Sequence, residues 1–266
     1  MRSLFAVCVL TGALLSAPSM VRADDGDGAP PVAAAGRQVQ EPAPAPPTPR
    51  HTGIIATLKS LPYDFRHLAS LENLMWVGIG TGAAAGVHPI DDNINRHFAG
   101  TSGEDAFFGP GKYIGQTATL AASSLTVYAI GRMRDQPKVS HIGMDLIRAL
   151  LVDEALTEGL KLSAHRERPD GSNDRSFPSG HASTTFAVAT VLERHLDWKM
   201  WGPAYLFSSY VAMSRLHENR HFASDVAFGA AVGIIAGRTV TRPGSDKYAL
   251  NITPVRGGFA ILAVKH

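Results

Sequence analysis

The chain of 266 residues holds one Cys, 25 Lys+Arg against 23 Asp+Glu, 45% hydrophobic residues and 18% charged ones. That composition can bury a core, which excludes wholesale disorder, and the length allows one domain or two small ones. A net charge of +2 is too slight for nucleic acid, or an acidic membrane surface, to recruit the protein by charge alone.

At the start, Arg2 precedes an apolar run from Leu4 to Leu15, and Val21-Arg22-Ala23 supplies small residues at the cleavage positions. Residues 1–23 therefore read as a secretory signal cut after Ala23, which assigns the mature protein to the periplasm or the exterior. The run is well below the ~20 residues that a spanning helix requires. Removing the segment takes two Arg, no acid and the lone Cys8, leaving a formally neutral chain that forms no disulfide. Residues 24–53 carry seven prolines and no aromatic residue. They cannot bury enough apolar surface to offset ordering entropy, so a disordered Pro/Ala-rich linker is expected.

From residue 54 to 242 the pattern is helical. Apolar-rich stretches cover Leu71–Val87, Lys112–Arg132, Ser140–Lys161, His181–His195, Pro203–His217 and Ser224–Val240, each longer than a strand and set apart by Gly, Pro, Asn or Asp. The expected fold class is all-α, a single bundle of about six core helices. Tyr113 to Gly131 carries no charge, yet it includes Gln116, Thr117, Thr119, Ser123, Ser124 and Thr126. A soluble bundle with a small-residue interior is expected ahead of an integral membrane protein. In residues 243–266, Tyr248, Leu250 and Ile252 alternate, Arg256-Gly257-Gly258 supplies a turn, and Phe259, Ile261 and Ala263 alternate again. A small C-terminal β-ribbon follows.

Three clusters carry chemistry. Lys161 and Arg168 are seven apart, close to two helical turns, so one helix face would hold a point charge and a planar fork, with Pro169 ending the helix. Pro178-Ser179-Gly180-His181 opens an apolar helix. There Ser179 can cap, Gly180 admits a ligand close to the backbone, and the first-turn amides form an anion site that His181 faces. In the third cluster His221 and Asp225 are four apart, so on a helix the carboxylate can hold the imidazole, and Arg215 adds a third cation. Each cluster in isolation also has an ordinary structural reading, as solvated cations, a helix start and an i,i+4 pair.

Together, Lys-x6-Arg-Pro, Pro-Ser-Gly-His and Ser-Arg-x5-His-x3-Asp match, in order, the three signature motifs of the type 2 phosphatidic acid phosphatase superfamily, which the chain resembles over about Leu71 to Val240. The resemblance implies a helical bundle whose active site forms where several helix ends meet. It further implies that His221 attacks phosphorus to form a phosphohistidine, that Asp225 orients it, and that His181 protonates the leaving alcohol and later activates water. Lys161, Arg168, Arg215, Ser179 and the Gly180 amide would bind the equatorial oxygens, with no metal. The family includes soluble acid phosphatases, membrane lipid phosphatases and vanadium haloperoxidases. The expected function is thus an exported phosphatase acting on a soluble or lipid phosphate ester without a cofactor, with peripheral membrane contact and vanadate as an inhibitor. Open alternatives are an integral-membrane lipid phosphatase, a haloperoxidase with vanadate as prosthetic group, and a non-catalytic phosphate-binding module. The motifs do not encode the oligomeric state. His165 and His217 match no signature position and are expected to fill variable loops, while Asp91 and Asp92 could cap a helix near the site.

Overall fold

The structure, a computed structural model, describes residues 53–100, 104–241, 249–255 and 258–264. The expected signal and linker lie outside the described residues, as does the turn at 256–257. Helices α1 (Ile54–His67), α2 (Leu71–Val87), α3 (Asp91–Phe98), α4 (Asp105–Ile114), α5 (Thr117–Met133), α6 (Pro137–Ala164), α7 (Gly180–His195), α8 (Trp198–His217) and α9 (Ala223–Val240) follow in order, with a 3₁₀ turn at His88–Ile90. Strands β1 (Ala249–Val255) and β2 (Gly258–Val264) pair antiparallel, Ile252 opposite Ile261. The chain is an all-α bundle in which α6, α7 and α9 are central.

Local chemistry sets the helix boundaries. The Ser70 hydroxyl accepts a hydrogen bond from the Asn73 amide at 3.2 Å and caps α2, and Pro137 begins α6, where a missing N–H costs nothing. The stretch expected as one helix over Lys112–Arg132 is two, because α4 ends at Ile114 and α5 starts at Thr117. Gly115 occupies the break: a Cβ there would overlap Val211 and lie 3.3 Å from the His181 ring. The uncharged run from Tyr113 to Gly131 is therefore not a single span. Helices α1 and α3 go beyond the expected set; α3 reads DDNINRHF, too polar to show an apolar period.

The core joins Ile142, Leu146, Ala149 and Val152 of α6 to Ala187 and Val191 of α7 and to Ala236 and Val240 of α9. Each larger aliphatic buried there contributes about 1.5–3 kcal/mol. Contact between α7 and α9 is closer than side chains ordinarily permit. Gly229, Gly233 and Gly237 recur at every fourth position of α9; a Cβ at Gly229 would lie 2.6 Å from the Ser179 carbonyl oxygen, one at Gly237 2.6 Å from Thr190 Cβ, and one at Gly233 would overlap the Ser183 carbonyl. Small residues at this spacing let two helix backbones touch. As a result the starts of α7 and α9 lie side by side, with the Ser179 amide donating to the Asp225 carbonyl at 3.0 Å.

Helix α1 docks on α6 through charge. Arg148 donates from Nε and Nη2 to the two oxygens of Asp64, at 3.0 and 2.5 Å, and from Nη1 to Asp145 at 2.9 Å, with all three residues buried. Only α9, among the described helices, is long and apolar enough to cross a membrane, and it is mostly buried. Large apolar side chains are nonetheless exposed on the outer helices, including Leu71, Leu74 and Met75 on α2 and Trp198 and Leu206 on α8.

If backbone contact between α7 and α9 holds the bundle, Gly233→Val should cost at least the ~1–3 kcal/mol of an overpacked core and lower the melting temperature by several degrees. Gly82→Ala, at a position on α2 with nothing within 4 Å of the added Cβ, should be neutral or slightly stabilising. Equal melting temperatures for the two variants would contradict the packing account.

Candidate active site

Lys161 lies in the last turn of α6, which stops at Ala164 with His165 in the left-handed conformation at φ 45°. Arg168 is therefore in the loop beyond, and the expectation that it shares a helix face with Lys161 is corrected. The residue before a proline disfavours helix, and here the chain leaves α6 earlier still. The loop is held by its own backbone, the Arg168 amide donating to the Asn173 carbonyl and the Ser176 amide to the Arg166 carbonyl, both at 2.9 Å.

Ser179 is the N-cap residue of α7, yet its side chain makes no cap hydrogen bond; the buried hydroxyl has no partner within the protein. A Cβ at Gly180 would sit 3.2 Å from Lys161 Nζ, so the missing side chain is what lets the ammonium approach the helix start. His181 follows in the first turn and donates from Nε2 to the Lys112 carbonyl at 3.0 Å. Lys161 also meets Glu158 at 3.0 Å.

His221 precedes α9 rather than lying on it, since that helix begins at Ala223 with Phe222 as its N-cap. The i,i+4 geometry expected for His221 and Asp225 is therefore not helical. His221 Nδ1 is 3.8 Å from the Asp225 carboxylate but 2.7 Å from the Ser176 carbonyl. A carbonyl only accepts, so Nδ1 carries the proton and Nε2 keeps its lone pair. Asp225 is occupied otherwise: Oδ2 accepts from the Phe222 amide at 2.8 Å and the Ser176 hydroxyl at 2.5 Å, and Oδ1 from Arg166 Nη1 at 2.6 Å. It locks the loop that presents His221 instead of touching the ring closely.

Asp91, expected as a possible helix cap near the site, and Arg166, which the sequence did not single out, complete this support. Arg166 reaches Asp225, the Ser224 hydroxyl at 2.7 Å and Asp91 at 2.9 Å, and stacks over the Phe222 ring at 4.2 Å. Buried Asp91 accepts the Ser224 amide at 3.0 Å as well as its hydroxyl. Burial alone would raise the Asp91 carboxyl, but hydrogen bonds from Ser224 and Arg166 outweigh it and hold the group below its ordinary value. Asp92 lines an adjoining groove of about 320 Å³ together with Arg96, Pro169 and Phe222. His165 pairs with Asp174 at the surface, as a loop residue does. His217 departs from expectation: it is buried at the end of α8, donating to Asp105 at 2.8 Å and packing on Phe108.

The electrostatics of the cluster are those of cations held out of water. Arg215 is buried, with Nη1 on Glu218 at 2.7 Å and Nε without a partner, and Arg168 Nε is likewise buried and unpaired. Burial first, then the Arg220 charge, lowers the pKa of Arg168; burial lowers that of Arg215 against the opposing pull of Glu218. The same field acts on the imidazoles. Burial, joined by Arg215, His221 and Lys161, takes His181 down to about 4 against the Lys112 hydrogen bond. Burial also lowers His221, with Asp225 opposing and Arg168 and Arg215 assisting. Both rings are neutral at pH 7. Beneath the site, wholly buried Asp153 accepts from the Ser183 hydroxyl and is pushed up to about 8 by burial, so it is a neutral acid at pH 7. Among the described residues, the side chains gathered for a metal, His141, Asp145 and His195, lie toward the opposite ends of α6 and α7.

The tautomer and charge of His221 are measurable directly. In ¹⁵N-resolved NMR its midpoint should lie below the ordinary histidine value of about 6.5, with the proton of the neutral ring on Nδ1. A midpoint at or above 6.5, or an Nε2–H tautomer, would contradict this electrostatic picture.

Residues 142–247 match the family model described as the PAP2 superfamily. The chain is 43% identical over 101 residues to a lipid A 1-phosphatase of Porphyromonas gingivalis, an alignment covering 33% of this chain and 22% of the relative. It is 26% identical to a putative phosphatidate phosphatase of Drosophila melanogaster, over 50% of this chain and 40% of that one. Among solved structures, LpxE of Aquifex aeolicus aligns at a TM-score of 0.48 and 24% identity, over 57% of this chain and 94% of that one. The chain thus spans less than half the length of both of these curated relatives. The matched segment contains Lys161, Arg168, Ser179, Gly180, His181, Arg215, His221 and Asp225, and over it the chain is similar to the PAP2 superfamily.

Proposed function

We propose that this protein hydrolyses phosphate esters, with lipid phosphates as its natural substrates, through a phosphohistidine on His221 and without a metal in the reaction. The observation that carries the reading is the set of buried donors lacking protein partners, Arg168 Nε, Arg215 Nε and Ser179 Oγ, beside an imidazole whose Nε2 lone pair is available. Buried unpaired donors cost ~1–3 kcal/mol each, more when charged, and a phosphoryl group offers them three oxygens. With Lys161 and the first amides of α7, these groups supply the charge that a metal would otherwise bring.

In the first step His221 Nε2 attacks phosphorus, forming the N–P bond as the P–O bond to the alcohol breaks. His181 is neutral beforehand, and a phosphate dianion placed against it favours its protonated form, which then gives the proton to the departing alkoxide. In the second step neutral His181 takes a proton from water, whose oxygen attacks phosphorus and releases phosphate and His221. The imidazolium character that His221 gains on phosphorylation is offset by the Ser176 carbonyl and the Asp225 carboxylate behind it.

Lipid substrates are favoured by the exposed apolar side chains of α2 and α8, which would rest against a bilayer, and by the names of the relatives. Export is favoured by Arg2, the Leu4–Leu15 run and the Val21-Arg22-Ala23 site. The integral-membrane alternative stays in view through the length and apolarity of α9; alkaline carbonate extraction separates it from a peripheral protein.

Variants of the two histidines test the chemistry, since nucleophile and acid fail differently. His221→Ala should abolish turnover of every ester. His181→Ala should lower the rate for an alkyl phosphate about 10²–10⁴-fold, the range of general acid catalysis, and that for a nitrophenyl phosphate, whose leaving group needs no proton, far less. Wild-type activity should withstand EDTA and be inhibited by vanadate. Equal losses for the two esters in His181→Ala, or activity that vanishes on chelation and returns with a divalent ion, would overturn the proposal.

A further inference from the structure

We infer that His141, Asp145 and His195 form a site for one divalent transition-metal ion, with zinc the best-fitting class, at the end of the bundle remote from the phosphate site. His141 and Asp145 are four apart on α6, and His195 is the last residue of α7. Asp145 lies sixteen residues before Lys161 on α6, a distance of ~24 Å along the helix axis. The site is therefore separate from the chemistry proposed above and does not rest on it.

Two features make this a ligand set instead of an ordinary ion pair. The ligand atoms already converge: His195 Nε2 is 2.8 Å and His141 Nε2 3.5 Å from the same oxygen, Asp145 Oδ2, and all three lie within 4.8 Å of one another. Ligands about 2.0–2.2 Å from a tetrahedral zinc stand roughly 3.3–3.5 Å apart, so small rotations of two rings complete the geometry. The carboxylate is also oriented from behind. Arg148 Nη1 holds Asp145 Oδ1 at 2.9 Å, and Arg148 is itself fixed by two bonds to Asp64. That arrangement is the supporting shell that ligating carboxylates require, and it turns Oδ2 toward the histidines.

Charge and access agree with the geometry. Two carboxylates and one guanidinium sum to −1 beside two imidazoles, a balance that favours a dication. The His141 and His195 side chains are 31% and 17% exposed while that of Asp145 is 3% exposed, so an ion can enter and water can take the fourth position. Metal ligands bind deprotonated, so affinity should fall as pH drops. The ion would tie the start of α6 to the end of α7, and through Arg148 and Asp64 to α1.

The test uses untagged full-length protein, stripped with a chelator and titrated with Co²⁺ and then Zn²⁺. Wild type should take up one Co²⁺ per chain with visible ligand-field absorption that Zn²⁺ abolishes. A hundredfold excess of Zn²⁺ over Kd should raise the melting temperature by roughly 5 °C. His141→Gln and His195→Gln, which leave Asp145, Arg148 and Asp64 in place, should each weaken binding at least tenfold and lose the thermal shift. Uptake below 0.2 equivalents by wild type, or unchanged affinity in both variants, would overturn the inference and leave the cluster as an ion-pair network.

Discussion

Everything at this site depends on how closely two helices can approach. Gly229, Gly233 and Gly237 strip one face of α9 of side chains, so the backbone of α7 rests on it from Ser179 to Thr190. The two N-termini are thereby drawn together, and the Ser179 amide bonds the Asp225 carbonyl. One start presents Ser179, Gly180 and His181; the other carries Asp225 in its first turn and His221 just before it. A helix start concentrates unpaired amides and positive potential, and two of them adjoining make a site suited to an anion. A Cβ on any of the three glycines would push the two helices apart.

The second constraint is electrostatic. Arg215 and the Nε of Arg168 are out of water, an expensive state for cations unless something offsets it. Their field, with burial, keeps His181 and His221 neutral, and a neutral imidazole is the state that can attack phosphorus. Of the carboxylates nearby, Glu158 and Glu218 pair with Lys161 and Arg215. Asp225 and Asp91 are committed to Arg166, Ser224, Ser176 and the Phe222 amide, so they stabilise the loops without closing the anion site. Asp91 and Asp225 thus hold the loops together, while Arg168 Nε, Arg215 Nε and Ser179 Oγ are left without a protein partner.

Much of this was legible in the sequence, and the rest was hidden for physical reasons. Five of the six apolar stretches showed as single helices because length and composition suffice to mark them. Lys161, Arg168, Ser179, His181, Arg215, His221 and Asp225 stood out because residue type and short spacing are local properties. What failed was the inference from spacing to a shared helix face: Arg168 and His221 lie just off helix ends, and seven- and four-residue spacings read the same in a loop. The orienting partner of His221 is the Ser176 carbonyl, a backbone group with no sequence signal. Arg166 and Asp91 are 75 residues apart, and no pattern in either segment points to the other. The polar α3 and the break at Gly115 were likewise fixed by tertiary contact, not by propensity.

The central claim is that His221 Nε2, held neutral behind its hydrogen bond to Ser176, becomes the phosphorylated atom. Rapid quenching of wild-type protein with ³²P-labelled ester, followed by peptide mapping, tests it most directly. The account requires an acid-labile, base-stable phosphate on His221, formed within the first turnover and absent from His221→Ala. Label on another residue, on His221→Ala, or on no protein while turnover proceeds would contradict it.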